Sequence, residues 1–145
     1  MAQQKHWGKY AAGILPYCKS TQRYCIFLRS DKIGFHPKTW STVGGKVDTN
    51  ETNKFKTAAL REMCEETKYC ENIKLKLLYI FRDDNFSYRT YLGYVNEEFK
   101  TILNWENDKA TWVTLNEMIS HEKLHPGFLE MLNNRDAMKT LESLI

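Results

Sequence analysis

A paired glycine followed by a helix whose last turn carries three glutamates constrains this chain more than any other feature. Residues 44–66 read GGKVDTNETNKFKTAALREMCEE, with the acids at Glu62, Glu65 and Glu66. Positions i, i+3 and i+4 of an α-helix fall within about a quarter of its circumference, so all three carboxylates are expected to point the same way. Like charges at that spacing cost about 0.2–0.5 kcal/mol a pair, and they sit at the helix C-terminus, where the macrodipole also disfavours negative charge. A hard divalent cation bound through oxygen reverses both penalties, because it holds carboxylates and phosphate oxygens together. Mg²⁺ is the expected ion, with Mn²⁺ as a substitute.

A lone E-x-x-E-E is ordinarily a solvated acidic face, and here the flanking residues decide otherwise. Arg61 directly precedes the acids and Glu51 lies ten positions before it, as expected if an ion pair clamps the preceding loop to the helix. The stretch resembles the Nudix box, G-x5-E-x7-R-E-U-x-E-E-x-G-U with U apolar, beginning at Gly45, reaching Glu51 and resuming at Arg61-Glu62-Met63-Cys64-Glu65-Glu66. Three departures stand out. Nine residues, against seven in the pattern, separate Glu51 from Arg61, and the extra pair is placed within 53–56, where it should bulge without moving the glutamates. Thr49 and Asn50 replace a common Pro-Gly, a mild change because Asn tolerates the left-handed conformation a tight loop needs. Lys68 stands at the last glycine, a position suited to a helix C-cap with positive φ.

Several expectations follow from the resemblance. The fold class is α+β: an αβα sandwich with a central mixed sheet and a loop-helix-loop catalytic motif. The activity is Mg²⁺-dependent hydrolysis of a nucleoside diphosphate linked to another group (ADP-ribose, a dinucleoside polyphosphate, an FAD- or NADH-like molecule, or a modified nucleoside triphosphate), with water attacking phosphorus. Removal of nucleotide or NAD-type caps from RNA by the same chemistry is the alternative. Glu62, Glu65, Glu66 and the Gly45 carbonyl are the expected metal ligands, and Glu51 with Arg61 organises the loop. The general base is either a box glutamate or an acid outside it; Glu106, in WENDKATWV, ranks first, ahead of Glu97 and Glu98.

Charge is distributed to suit a polyphosphate. Residues 1–46 hold eight Lys or Arg against one acid, a net of +7, while the remainder holds thirteen against seventeen, a net of −4. Cations beside an acidic metal cluster can take the outlying phosphate oxygens. Lys46, Arg29 and Lys38 are the expected substrate contacts, with Lys5, Lys19, Arg23 and Lys32 read as solvated. A base could stack on Trp7, Tyr10, Trp40, Phe86, Tyr88 or Tyr91, since any base presents a π-face; Trp40 and Phe86 are favoured because they lie in or beside loops.

At 145 residues with 42% hydrophobic content, the chain suits one globular core rather than two, so a single domain over 1–145 is expected. No apolar run approaches the ~20 residues of a membrane span, and the first ten residues lack a signal-peptide core. A cytoplasmic monomer or homodimer is therefore expected. Cys18, Cys25, Cys64 and Cys70 lack C-x-x-C spacing, so reduced thiols are expected, a bridge between Cys18 and Cys25 across a hairpin being the alternative. Strands are expected over 10–17, 24–29, 75–82, 88–95 and 110–113, and the catalytic helix over 54–67. Leu60, Met63 and Cys64 should pack that helix on the sheet, opposite the acids. Thr114 and Glu117 read as a capping box, Pro126 as the start of a third helix, and residues 136–145 as a packed helix or dimer contact.

Overall fold

The computed structural model describes residues 10–51 and 54–144. Seven strands form one mixed sheet: β1 (Tyr10–Cys18), β2 (Arg23–Arg29), β3 (Trp40–Ser41), β4 (Val43–Lys46), β5 (Lys74–Asp83), β6 (Phe86–Val95) and β7 (Asn107–Val113). Four helices cover it: α1 (Phe55–Thr67), α2 (Leu115–Ile119), α3 (Pro126–Leu132) and α4 (Arg135–Glu142). All five expected strands and the expected helices form. Two further short strands appear, and β4 contains the paired glycines. Gly44 and Gly45 pair with Gly13 and Ala12 of β1, so the glycines are wanted for close approach and not for chain reversal.

The sheet divides at β1, and this division makes the site. β1 runs parallel to β6 over its whole length. Its other edge is shared: Ala11–Ile14 pair with β4, and only Tyr17 and Cys18 pair with β2. Pro16, which lacks an N–H, falls in the interval between those partners, where the ladder is already interrupted. β2 then leaves β1 and continues against β7 and β3. A wedge opens between β1–β4 on one side and β2–β7 on the other.

Alternation along β1 and β2 sends side chains to two cores. Ala12, Ile14, Cys25 and Phe27 meet Ala59 and Met63 of α1 on one face. Leu15, Tyr17, Tyr24 and Ile26 meet Met118, Phe128, Met131 and Leu141 of α2–α4 on the other. The helices flank the sheet on both sides, the expected sandwich. The C-terminal segment packs internally, with Ala137 and Leu141 buried. Its N-cap is Asn134, whose Oδ1 accepts from the Ala137 N–H at 2.9 Å. The Thr114–Glu117 capping box is present in both directions, at 2.8 and 3.2 Å.

Three expectations about α1 are corrected. First, Met63 and the partly buried Leu60 pack on the core as expected, but the buried stripe of Ala58, Ala59, Glu62, Met63, Glu66 and Thr67 also takes in two of the acids, and Cys64 is only half-buried. Glu62 and Glu66 thus share the inward face with Met63, because the wedge and the side-chain-free Gly45 leave space for carboxylates there. Second, Glu65 is exposed rather than buried with them, its carboxylate sharing the Arg61 guanidinium with Glu62. Third, the four thiols are not all reduced: Cys64 and Cys70 form a disulfide, with Cα atoms 4.5 Å apart, while Cys18 and Cys25 are free and buried. The chain reversal at Lys68 brings position 70 back beside 64. Lys68 takes the left-handed conformation, φ 66°, and its N–H donates to the Cys64 carbonyl at 2.9 Å. α1 begins at Phe55; the residues just before Lys54, 52 and 53, where the extra pair was placed in part, lie outside the described residues, as do Lys5 and Trp7.

Candidate active site

Gly45 is where backbone and carboxylate come closest. A Cβ there would lie 2.7 Å from the Glu62 carboxyl carbon, and one on Gly44 would meet the Ala12 carbonyl and the Tyr88 hydroxyl. Only glycine admits the inward face of α1 to this strand. Across the wedge, Glu106 stands just before β7, and carboxylate oxygens of Glu62, Glu66 and Glu106 lie within 4.8 Å of one another.

Glu66 is 3% exposed. Its Oε1 accepts from the Asn107 side-chain amide at 2.8 Å, while its Oε2 is buried with no partner among the described residues. Burial above all, then the Glu106 and Glu62 charges, holds the Glu66 carboxyl well above the usual range. Burial also raises Glu62, against the nearby Arg61 charge, and raises Glu106, against a hydrogen bond from Asn104. Three carboxylates desolvated together, one with an orphaned oxygen, fit a hard cation: its charge removes the repulsion and its coordination occupies the free lone pairs. The donor set is entirely oxygen, which suits Mg²⁺ or Mn²⁺ rather than zinc.

Arg61 braces this cluster from behind. Its Nε donates to Glu51 Oε2 at 2.7 Å and its Nη2 to Glu51 Oε1 at 2.9 Å, a two-pronged pair. Nη2 also reaches the Lys46 carbonyl at 2.8 Å, and Nη1 reaches Glu62 at 3.1 Å and Glu65 at 3.2 Å. Glu51 is 5% exposed, and the Arg61 guanidinium keeps its carboxyl below the usual range. The loop after β4 is therefore fastened to α1 as the motif implied.

A cavity of about 140 Å³ opens beside Glu66 and Glu106. Phe35, Phe81, Phe86, Tyr88 and Phe128 wall it, together with the rings of His36 and His125. Phe86 and Arg29, two of the residues read as substrate contacts, are among its lining. Arg29 is largely buried, with its guanidinium turned to the carbonyls of His36 at 3.1 Å and Phe35 at 2.9 Å. Trp40 is not part of the lining. It packs edge-on against His121, ring centres 5.0 Å apart, because its backbone joins β3 to the loop before α3. Lys38 is exposed and paired with Asp108, and the Lys46 side chain is exposed while its carbonyl serves Arg61. Glu98 pairs with Arg23 at 2.6 Å. Arg23 is opposite Cys18, six residues along β1 from Ala12, the partner of Gly45, or roughly 20 Å away. Of the basic first third, Arg23, Arg29 and Lys38 are thus engaged by local partners.

Several lining residues were not singled out from sequence: Phe35, His36, Phe81, His125, Phe128 and Asn107. Only Asn107 had a local signal, being next to Glu106.

The site, a loop and helix presenting carboxylates at a split in a mixed sheet, defines a hydrolase of phosphoric anhydride bonds that works with a divalent metal. The NUDIX domain family matches residues 8–134, and the chain belongs to that family. Its fold is similar to a MutT protein from Methanosarcina mazei Go1 (20% identity, TM-score 0.71, 98% of this chain and 97% of that one). It is also similar to the Nudix hydrolase RenU from M. smegmatis (23% identity, TM-score 0.74, 92% and 88%). A C. elegans Ap4A hydrolase in a binary complex shares 19% identity, with a TM-score of 0.65 over 92% and 93%. No curated protein sequence matches the chain. Among the described residues no helix is long and apolar enough to cross a membrane.

Proposed function

We propose that the chain hydrolyses, with Mg²⁺, a nucleoside diphosphate linked to a second group, by direct attack of water on a phosphorus of the anhydride. The single observation that carries this reading is the orphaned Oε2 of Glu66, buried in a three-carboxylate cluster that opens onto an aromatic cavity. Cluster and cavity adjoin, so a nucleoside seated between the rings has its phosphates directed at the acids. An Ap4A hydrolase among the similar folds, though too distant to fix a substrate, acts on a molecule of this class.

Glu62, Glu66 and the Gly45 carbonyl would hold the metal, and Glu65 can join them by leaving Arg61, a movement its exposure permits. When bound, the ion neutralises phosphate charge and acidifies water. Glu106 takes the proton from the attacking water. It is suited to that role because burial raises its carboxyl above the usual range and because Asn104 fixes it through a hydrogen bond at 3.2 Å. Arg61 maintains the position of Glu62 and of the loop bearing Gly45. No covalent phosphoenzyme is formed.

A substrate panel with Mg²⁺ tests this: ADP-ribose, FAD, NADH, Ap3A, 8-oxo-dGTP and NAD-capped RNA. At least one small dinucleotide or nucleotide sugar should be cleaved, and chelator should abolish turnover. Absence of turnover on all of them would refute the reading, and exclusive cleavage of the capped RNA would transfer it to the alternative substrate.

A further inference from the structure

We propose that His125 determines base specificity: its imidazole is held neutral as an Nε2–H donor in the cavity wall and selects a 6-oxopurine over a 6-aminopurine. The proposal rests on the reading of the cavity as the nucleoside site.

The local chain explains the tautomer. His125 is the N-cap of α3, and its Nδ1 accepts the Gly127 N–H at 2.9 Å. Asp, Asn, Ser and Thr are the usual caps, so an imidazole here is an unusual choice. A nitrogen whose lone pair accepts cannot also carry a proton, and a neutral ring must then place its one N–H on Nε2. The residue is fixed at backbone and ring: the Trp40 carbonyl accepts the His125 backbone N–H at 2.9 Å, and the His36 ring lies edge-on at 4.7 Å. Among the described residues Nε2 has no hydrogen-bond partner. Burial, reinforced by the Arg29 and His36 charges, pushes the imidazole down to about 3, so it is neutral at neutral pH.

The polarity of the surrounding wall determines which base edge suits that donor. The Thr42 and Tyr88 hydroxyls bond each other at 3.1 Å, and the Tyr79 hydroxyl donates to Glu130. The charged group close to His125 is the Arg29 guanidinium, a cation; the acids, Glu66 and Glu106, belong to the metal side. A donor beside a fixed cation favours an acceptor. Both kinds of purine present the N7 acceptor, but beside it a 6-oxopurine presents O6, a second acceptor, whereas a 6-aminopurine presents an amine. That amine against Nε2–H would leave two donors facing each other, a mismatch on the scale of a tenfold or larger loss of affinity.

IMP and AMP differ at this edge, so calorimetric binding of each to the Mg²⁺-loaded full chain is the test. IMP should bind at least about tenfold more tightly. H125S keeps a capping oxygen and removes the donor, while H125F keeps a ring and removes it; both should bring the IMP to AMP ratio to within about twofold. In ¹⁵N spectra of the wild-type protein His125 should show a protonated Nε2 and a bare Nδ1 from about pH 6 to 8. Equal binding by the wild type, a ratio surviving in both variants, or a protonated Nδ1 would overturn the proposal. If nucleoside diphosphates are hydrolysed without base preference, only this inference fails; if neither monophosphate binds and no nucleotide is cleaved, the functional reading fails with it.

Discussion

Asn107 donates its side-chain amide to one carboxylate oxygen of Glu66 at 2.8 Å and leaves the other buried and unpartnered. The bond fixes the plane of the carboxylate, so the orphaned oxygen faces Glu62 and Glu106, and it does so at the expense of the protein without metal. Glu66→Gln keeps an acceptor for Asn107 and removes the charge. Turnover should fall at least about a hundredfold, on the scale of several kcal/mol of lost charge stabilisation, while the metal-free protein should be as stable as the parent or slightly more so. Steady-state kinetics and thermal melts with and without Mg²⁺ check both halves. Retention of more than a third of parental turnover would remove Glu66 from the metal site.

The same raised carboxyls set a pH dependence. In the metal-free protein Glu66, Glu62 and Glu106 hold protons above the usual carboxylate range, with burial the main cause. The folded state therefore binds more protons than the unfolded one, and these groups reduce stability as pH rises from the unfolded value through the raised folded value. The cation must displace those protons. Its stabilising effect, measured as the Mg²⁺-induced shift in Tm, should grow as pH rises from the usual carboxylate range through the raised one; a shift that shrinks as pH rises contradicts the assignment.

Glu51 and Arg61 are a different kind of pair, closed rather than poised. Removing the guanidinium leaves buried Glu51, among the described residues, with the Asp48 backbone N–H as its remaining hydrogen-bond donor, 3.0 Å away. Arg61→Ala should cost about 2–4 kcal/mol, below the full penalty for a buried pair because the Arg61 side chain is 27% exposed. Arg61→Lys should recover little, since the one nitrogen of an ammonium cannot reproduce the planar fork that places Nε and Nη2 on the two Glu51 oxygens. Since Glu51 is held below the usual range, its stabilising contribution is present above the unfolded value and is lost only as pH falls through the lowered one. Denaturant titrations at neutral and acid pH measure this, and a loss under about 1 kcal/mol for the alanine variant would mean the clamp is not structural.

What was legible in the sequence and what was not divides along physical lines. Glu51, Arg61, Glu62 and Glu66 were legible because one helix and one loop hold them at fixed spacing, so chain geometry alone brings them together. The inward face of α1 was misread in part, because helical periodicity locates a stripe but not the space opposite it. Leu60 and Cys64 are the more apolar choice, yet the glycines of β4 and the wedge beside β2 admit Glu62 and Glu66 as well. The cavity was hardly legible at all. Phe35, Phe81, Phe86, His125 and Phe128 come from four separate parts of the chain and meet only because β5 and β6 extend past the wedge toward α3. The Cys64–Cys70 bridge likewise depends on a reversal at Lys68, where no glycine announced one.

That reversal makes Lys68 a site of removable strain. A left-handed non-glycine residue costs roughly 1–2 kcal/mol, against roughly 0.5–1 kcal/mol for the extra freedom of glycine in the unfolded chain. Lys68→Gly should therefore raise stability by under about 1 kcal/mol and leave kcat unchanged, since Lys68 contacts the Cys64 carbonyl through its backbone. Reduction of the disulfide should act in the opposite sense, lowering stability by about 2 kcal/mol for so short a loop. Melts of the glycine variant with and without reductant separate the two effects; a glycine variant less stable than the parent would mean the lysine side chain contributes something other than strain.

Glu106 is the last group to be tested, and the test must separate proton transfer from metal holding, because its carboxylate touches both. Glu106→Gln keeps the size of the side chain and the bond from Asn104, so the loop before β7 should stay in place. Loss of a general base costs about 10²–10⁴ in rate, whereas loss of one metal ligand weakens binding of the ion and is offset by more of it. With Mg²⁺ raised until turnover saturates, kcat of the variant should stay at least about a hundredfold down, and the acid limb of the parental pH–rate profile should vanish, because the group whose deprotonation it reports is gone. Glu98→Gln, at the far end of β1 and paired with Arg23, should leave the profile unchanged. Recovery of kcat in the Glu106 variant at high Mg²⁺, with the acid limb intact, would make Glu106 a metal ligand only and return the role of base to a glutamate of α1.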